Sequence, residues 1–141
     1  MFLSVAAVAA DPPGTQSCVA LPATMRSPTD LKNAVVEARL SAMAHWRKAD
    51  GESLAAEGCE KVYWSAYARL AALNNDAAGE AAAQLLLDSR LAWDAGDALT
   101  ASDITARLGS HVKPHLLKHV ESSQLAKSTV QCINRGSKPC L

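Results

Sequence analysis

Apolar residues recur along most of this chain at alternating intervals of three and four, the period of an amphipathic helix. No stretch alternates with the period of two that marks a half-buried strand, and no Asn-Gly hairpin signal occurs. The first helix is predicted to start at Ser27-Pro28-Thr29-Asp30. Ser27 can cap it, Pro28 suits the first helical position, and Asp30 at the third meets the positive end of the helix. Behind that start Leu31, Val35, Ala38, Ala42 and Trp46 form one stripe, interrupted at Asp50-Gly51. A second helix carries Ala55, Cys59, Val62, Ala66, Leu70 and Leu73 within a narrow arc and stops at Asn74-Asn75-Asp76.

A third helix is read from Ala78 to Ala95. Its Leu85-Leu86-Leu87 and Leu91 spread over most of the circumference, which marks the most buried element, and Gly96 is placed to end it. Thr100 to Asp103 repeats the capping spacing and opens a short helix closed by Gly109. The last helix starts near Pro114 and runs toward Cys132, with Leu116, Leu117 and Val120 together in its front half and a weakly amphipathic back half. Short connections favour antiparallel neighbours. The expected fold is therefore all-α, a small disulfide-pinned bundle of four longer helices and one short one. It forms a single domain over residues 27–141, preceded at 11–26 by an extended strap containing Pro12, Pro13, Gly14 and Pro22.

Composition narrows the class. The 141 residues include 28 alanines and only 4 % aromatics, a helix-former's composition with small core side chains. Fourteen Lys and Arg balance 14 Asp and Glu, so no electrostatic footprint for nucleic acid or an anionic membrane is present. No apolar run reaches the roughly 20 residues of a membrane-spanning helix.

Residues 1–10, MFLSVAAVAA, are apolar, end in small residues and precede Asp11-Pro12-Pro13-Gly14, a truncated version of a secretory signal and its cleavage site. The four cysteines, Cys18, Cys59, Cys132 and Cys140, are even in number and lack any CxxC spacing. That pattern fits two disulfides in an oxidising compartment, periplasmic or secreted. Three pairings are possible. Cys18–Cys59, tying the strap to a helix, with Cys132–Cys140 closing a C-terminal loop, is favoured over a Cys59–Cys132 clamp between helices.

Candidate chemistry is sparse. There is no GxSxG, HExxH, Walker or dinucleotide-binding motif, and four cysteines that pair off leave no catalytic thiol. Asp94, Asp97 and Asp103 do not follow a calcium-loop order and read as caps and turn residues. His45-Trp46-Arg47-Lys48 reads as the basic end of a helix. His111, His115 and His119 recur every four residues and could hold Zn(II), Cu(II) or Ni(II) on one helix face, although Pro114 breaks the register between the first two.

Tyr63 and Tyr67 lie on the flank of the second helix's core face while Trp64 points away from it, a residue mixture enriched in binding hot spots. Trp46 and Trp93 lie on or near apolar stripes and read as core. The sequence thus points to an exported, non-enzymatic module without a cofactor, binding another protein through Tyr63, Trp64 and Tyr67 in the manner of an inhibitor, immunity protein or envelope adaptor. The alternative is a metal-binding or metal-sensing envelope protein using the histidines.

Overall fold

Ser27 caps the first helix as its spacing predicts: its hydroxyl oxygen accepts a hydrogen bond from the Asp30 amide at 3.3 Å, and Pro28 occupies the first turn. The computed structural model describes residues 18–48, 53–136 and 140. Residues 1–17, which include the expected signal segment and the first part of the expected strap, lie outside the described residues. Within them the chain is all-α, with helices α1 (Pro28–Arg47), α2 (Ser53–Ala72), α3 (Asp76–Leu87), α4 (Ala95–Ala106), α5 (Lys113–Leu117) and α6 (Gln124–Arg135). Turns of 3-10 helix at Ser89–Leu91 and Gly109–His111 join α3 to α4 and α4 to α5. None of the described helices is long and apolar enough to cross a membrane.

α1 and α2 form the most extensive helix pair, and hydrogen bonds from Arg39 to Tyr63 and from Arg69 to Met25 set it antiparallel. α3 packs against both, and against α4, α5 and α6, so it is the centre of the fold. Seven of its 12 residues are buried, including Ala78, Ala81, Ala82, Leu85 and Leu86, as the breadth of its apolar face predicts. Gly79 is required there. A Cβ at this position would stand 2.1 Å from the His111 carbonyl oxygen, so glycine lets the second 3-10 turn close on α3.

Both favoured disulfides form, Cys18–Cys59 and Cys132–Cys140, with Cα–Cα distances of 5.0 and 5.2 Å. The first fastens the strap to α2. Arg69 reinforces it by donating to the Pro22 carbonyl at 2.7 Å. The second forms a small satellite core with Ala106. α4 and α6 also meet through polar atoms. The buried Ser102 and Thr129 hydroxyls are 2.6 Å apart, and Thr129 in turn donates to the Leu125 carbonyl, so neither is left unsatisfied.

Two predicted helices end early, for local reasons. The third stops at Leu87 rather than Ala95, because the Asp88 carboxylate takes the Arg90 amide at 3.0 Å and the Trp93 indole takes the Leu85 carbonyl at 2.9 Å. Those bonds replace the next helical turn. Ala92 then adopts a left-handed backbone, φ 49°, and α4 begins at Ala95, so Gly96 lies inside a helix instead of ending one. The last predicted helix divides into α5 and α6, because Ser123 caps the Ala126 amide at 3.1 Å and starts a new helix.

Candidate functional site

The buried side chain that organises most of its surroundings is Arg39, only 2 % exposed on α1. Nε donates to the Leu91 carbonyl at 2.8 Å and Nη2 to the Ala92 carbonyl at 3.1 Å. Nη1 donates to the Tyr63 hydroxyl at 2.8 Å and forms an ion pair with Asp97 Oδ2 at 2.7 Å. One guanidinium thus joins α1 to α2, to the first 3-10 turn and to the first turn of α4. Its planar fork matches several fixed acceptors at once, which a lysine could not do.

Aromatic rings surround the same guanidinium. Its central carbon lies 4.5 Å from the Trp93 ring, 5.3 Å from Trp46 and 5.4 Å from Tyr63. Trp93 stacks on Trp64 at 5.3 Å, and Trp64 stacks on Tyr67 at 6.4 Å. All five aromatic residues of the described chain therefore belong to one cluster around Arg39. In a sequence so poor in aromatics, that concentration is the main chemical feature of the molecule. The backbone that presents Trp93 is held in unusual geometry, with left-handed φ angles at Ala92 and Ala95 on either side of it. Such conformations cost about 1–3 kcal/mol each and persist where surrounding contacts enforce them, here the Arg39 and Trp93 hydrogen bonds.

The expected surface of Tyr63, Trp64 and Tyr67 needs correction. Tyr63 and Tyr67 are fully buried and Trp64 is partly buried. α2 buries two faces rather than one, since α1 covers one side and α3 with α4 the other. The Tyr67 hydroxyl lies 2.6 Å from Thr105 Oγ1, and burial raises its proton affinity. Burial likewise pushes the Tyr63 phenol up to about 12, against the opposing pull of the Arg39 charge and hydrogen bond. Trp46 is corrected in the other direction: it reads as core but is 44 % exposed, in the last turn of α1. Trp46 is the exposed ring of the cluster, and Trp64 and Trp93 are partly buried.

Carboxylates border it. Asp97 keeps its side chain 37 % exposed beyond its bond to Arg39. Glu60, one turn before Trp64, has its proton affinity raised first by desolvation and then by the negative charges of Asp97 and Glu57. No hydrogen bond or ion pair to Glu60 forms among the described residues.

The histidines do not assemble. His111 lies in the second 3-10 turn with Nδ1 2.6 Å from Asp76 Oδ1, His115 lies in the five-residue α5, and His119 lies in the turn after it. The continuous helix that would have aligned them is absent. His115 and His119 do share a shallow cleft of about 350 Å³ with Glu80. Among the described residues, three potential ligand atoms within 4.8 Å of one another occur only at Asp103, Cys132 and Cys140, whose two sulfurs are already joined. A cavity of about 860 Å³ between the strap and α1 is walled mainly by apolar side chains such as Leu21, Met25, Leu40 and Met43. It holds no histidine and no free thiol.

No family model, curated protein or solved structure matches this chain.

Proposed function

We propose that this chain is an exported, non-catalytic protein-binding module, of the inhibitor, immunity or envelope-adaptor kind. Its contact surface would be centred on Trp46 and the partly buried Trp64 and Trp93. The observation that carries this reading is the gathering of every described aromatic residue around one buried arginine, with Trp46 left 44 % exposed at its border. Trp, Tyr and Arg dominate binding hot spots because a rigid ring buries much area for little lost freedom. The two disulfides, which persist in oxidising compartments, support export.

Site-specific photo-crosslinking tests the surface. A crosslinking side chain at position 46 should form one dominant adduct in the native compartment, mapped by mass spectrometry to a single partner. The same group at Leu117, an exposed apolar residue on α5, should not form it. Equal adducts from both positions, or none from position 46, would overturn the assignment.

Transition-metal binding remains a second reading because His115 and His119 share their cleft with Glu80. A His115→Ala, His119→Ala double variant that binds Cu(II), Ni(II) or Zn(II) as the wild type does would remove it.

A further inference from the structure

We infer that the cleft between the strap and α1 is a second binding site, for a single-chain amphiphile with an anionic head, of the long-chain fatty-acid class. The acyl chain would lie along α1 and the carboxylate would pair with Arg47. This site is separate from the contact surface proposed above, because Trp46, Trp64 and Trp93 are not among its walls.

The cleft is built into the fold. The Cys18–Cys59 disulfide and the Arg69 bonds to the Pro22 and Met25 carbonyls, at 2.7 and 3.5 Å, fasten the strap to α2 rather than to α1. Opposite the strap, Ala34, Ala38, Ser41 and Ala44 recur at intervals of four, three and three, so this side of α1 carries small side chains. Strap and helix therefore leave about 860 Å³ between them. Ala34 and Arg47 are thirteen residues apart, so the cleft runs about 20 Å along α1. That length suits an extended palmitoyl chain. Met25 on the strap and Met43 on α1 give it adaptable thioether walls.

The walls select a tail without polar groups. Only Glu37, Ser41 and Arg47 bring polar side chains to them. A sugar or nucleotide would need several convergent donors and acceptors. An extended peptide would bring backbone groups that apolar side chains leave unpaired, at a cost. An acyl chain has neither requirement.

Charge places the head. Glu37 and Arg47, the two charged wall residues, lie ten residues and about 15 Å apart along α1. The acidic residues Asp30 and Glu37 belong to the first half of the helix, whereas Arg47 closes it and Lys48 follows. Three exposed charged residues stand next in the chain to a wall residue, Arg26, Lys48 and Lys61, and all are basic. Arg47 is itself exposed, with no hydrogen bond or ion pair among the described residues. An anionic head thus meets an uncommitted guanidinium at the end of the cleft, while the exposed Glu37 keeps its hydration toward the other end. A cationic head would meet like charge at Arg47.

The test follows methyl-labelled methionine by NMR, since Met1, Met25 and Met43 are the only methionines in the chain. Palmitate is titrated into the intact oxidised protein below its aggregation limit, alongside hexadecanol and the hexadecyltrimethylammonium cation, which carry tails of the same length. Palmitate should shift the Met25 and Met43 methyls together and bind at least about threefold tighter than the other two, the size of one exposed ion pair. Arg47→Gln, a change at an exposed position, should remove that advantage and leave hexadecanol binding as it was. Unmoved Met25 and Met43 methyls would overturn the site. Equal affinity for palmitate and the cation, or undiminished palmitate affinity in Arg47→Gln, would overturn the anionic head at Arg47.

Discussion

Arg39 and Asp97 meet at 2.7 Å across the junction of α1 and α4, one side chain almost wholly buried and the other 37 % exposed. The pair closes over the segment from Leu91 to Asp97, whose two left-handed alanines would otherwise relax. Arg39→Met should therefore cost roughly 3 kcal/mol, since it leaves the Leu91 and Ala92 carbonyls without their donor. Urea unfolding monitored by circular dichroism measures this. A loss below about 0.5 kcal/mol, the size of an ordinary surface substitution, would show that the segment holds itself.

Alkaline pH should unfold the protein through its two buried phenols. Tyr63 keeps its proton up to about 12 in the fold against 10.0 ordinarily, and burial raises Tyr67 in the same direction. Above about pH 10 the unfolded chain binds fewer protons than the native one, so stability falls as pH rises. The contribution is fully present below that pH and is lost as pH climbs through 12. For Tyr63 alone it amounts to roughly 2–3 kcal/mol, at about 1.4 kcal/mol per unit. Between about pH 10 and 12, phenolate absorbance should then appear together with unfolding, whereas full phenolate formation near pH 10 in a still-folded chain would contradict the burial.

Three glycines should respond to alanine in opposite directions. Gly79→Ala drives a methyl into the His111 backbone and should destabilise the protein despite the helix-favouring change. Gly58→Ala and Gly96→Ala meet nothing within 4 Å, and each should stabilise by about 0.5–1 kcal/mol. Thermal melts of the three variants decide it, and a neutral Gly79→Ala would mean that the second 3-10 turn moves freely off α3.

Much of this fold is legible in the sequence. The Ser27 cap, the stripe from Leu31 to Ala42 and the pairing of all four cysteines follow from spacing and turn chemistry. What periodicity misses is competition from side chains: Asp88 and Trp93 take backbone groups at the end of α3, and Ser123 restarts a helix that the pattern runs straight through. The candidate site is only half legible. Tyr63, Trp64 and Tyr67 stand out as a group, but a single helix cannot show that α3 and α4 cover its second face. Arg39 gives no signal at all, because a charged residue beside an apolar stripe reads as solvated. Its role depends on carbonyls more than fifty positions away.

The two disulfides should contribute unequally. Loop closures of 41 and 8 residues correspond to about 4 and 2.5 kcal/mol on the chain-entropy model. Replacing Cys18 and Cys59 by serine should lower the unfolding midpoint in urea more than replacing Cys132 and Cys140. The reverse order would place the main fastening at the C-terminal loop.

The central claim is that Trp46 belongs to a contact surface rather than to the core. The most direct measurement compares Trp46→Ala with the wild type in two respects, affinity for the crosslinked partner by calorimetry and melting temperature. A hot-spot residue should lose more than about 1 kcal/mol of binding, with the melting temperature changed by no more than a few degrees. Unchanged affinity together with a large fall in melting temperature would make Trp46 a structural support for Arg39 and contradict the proposed surface.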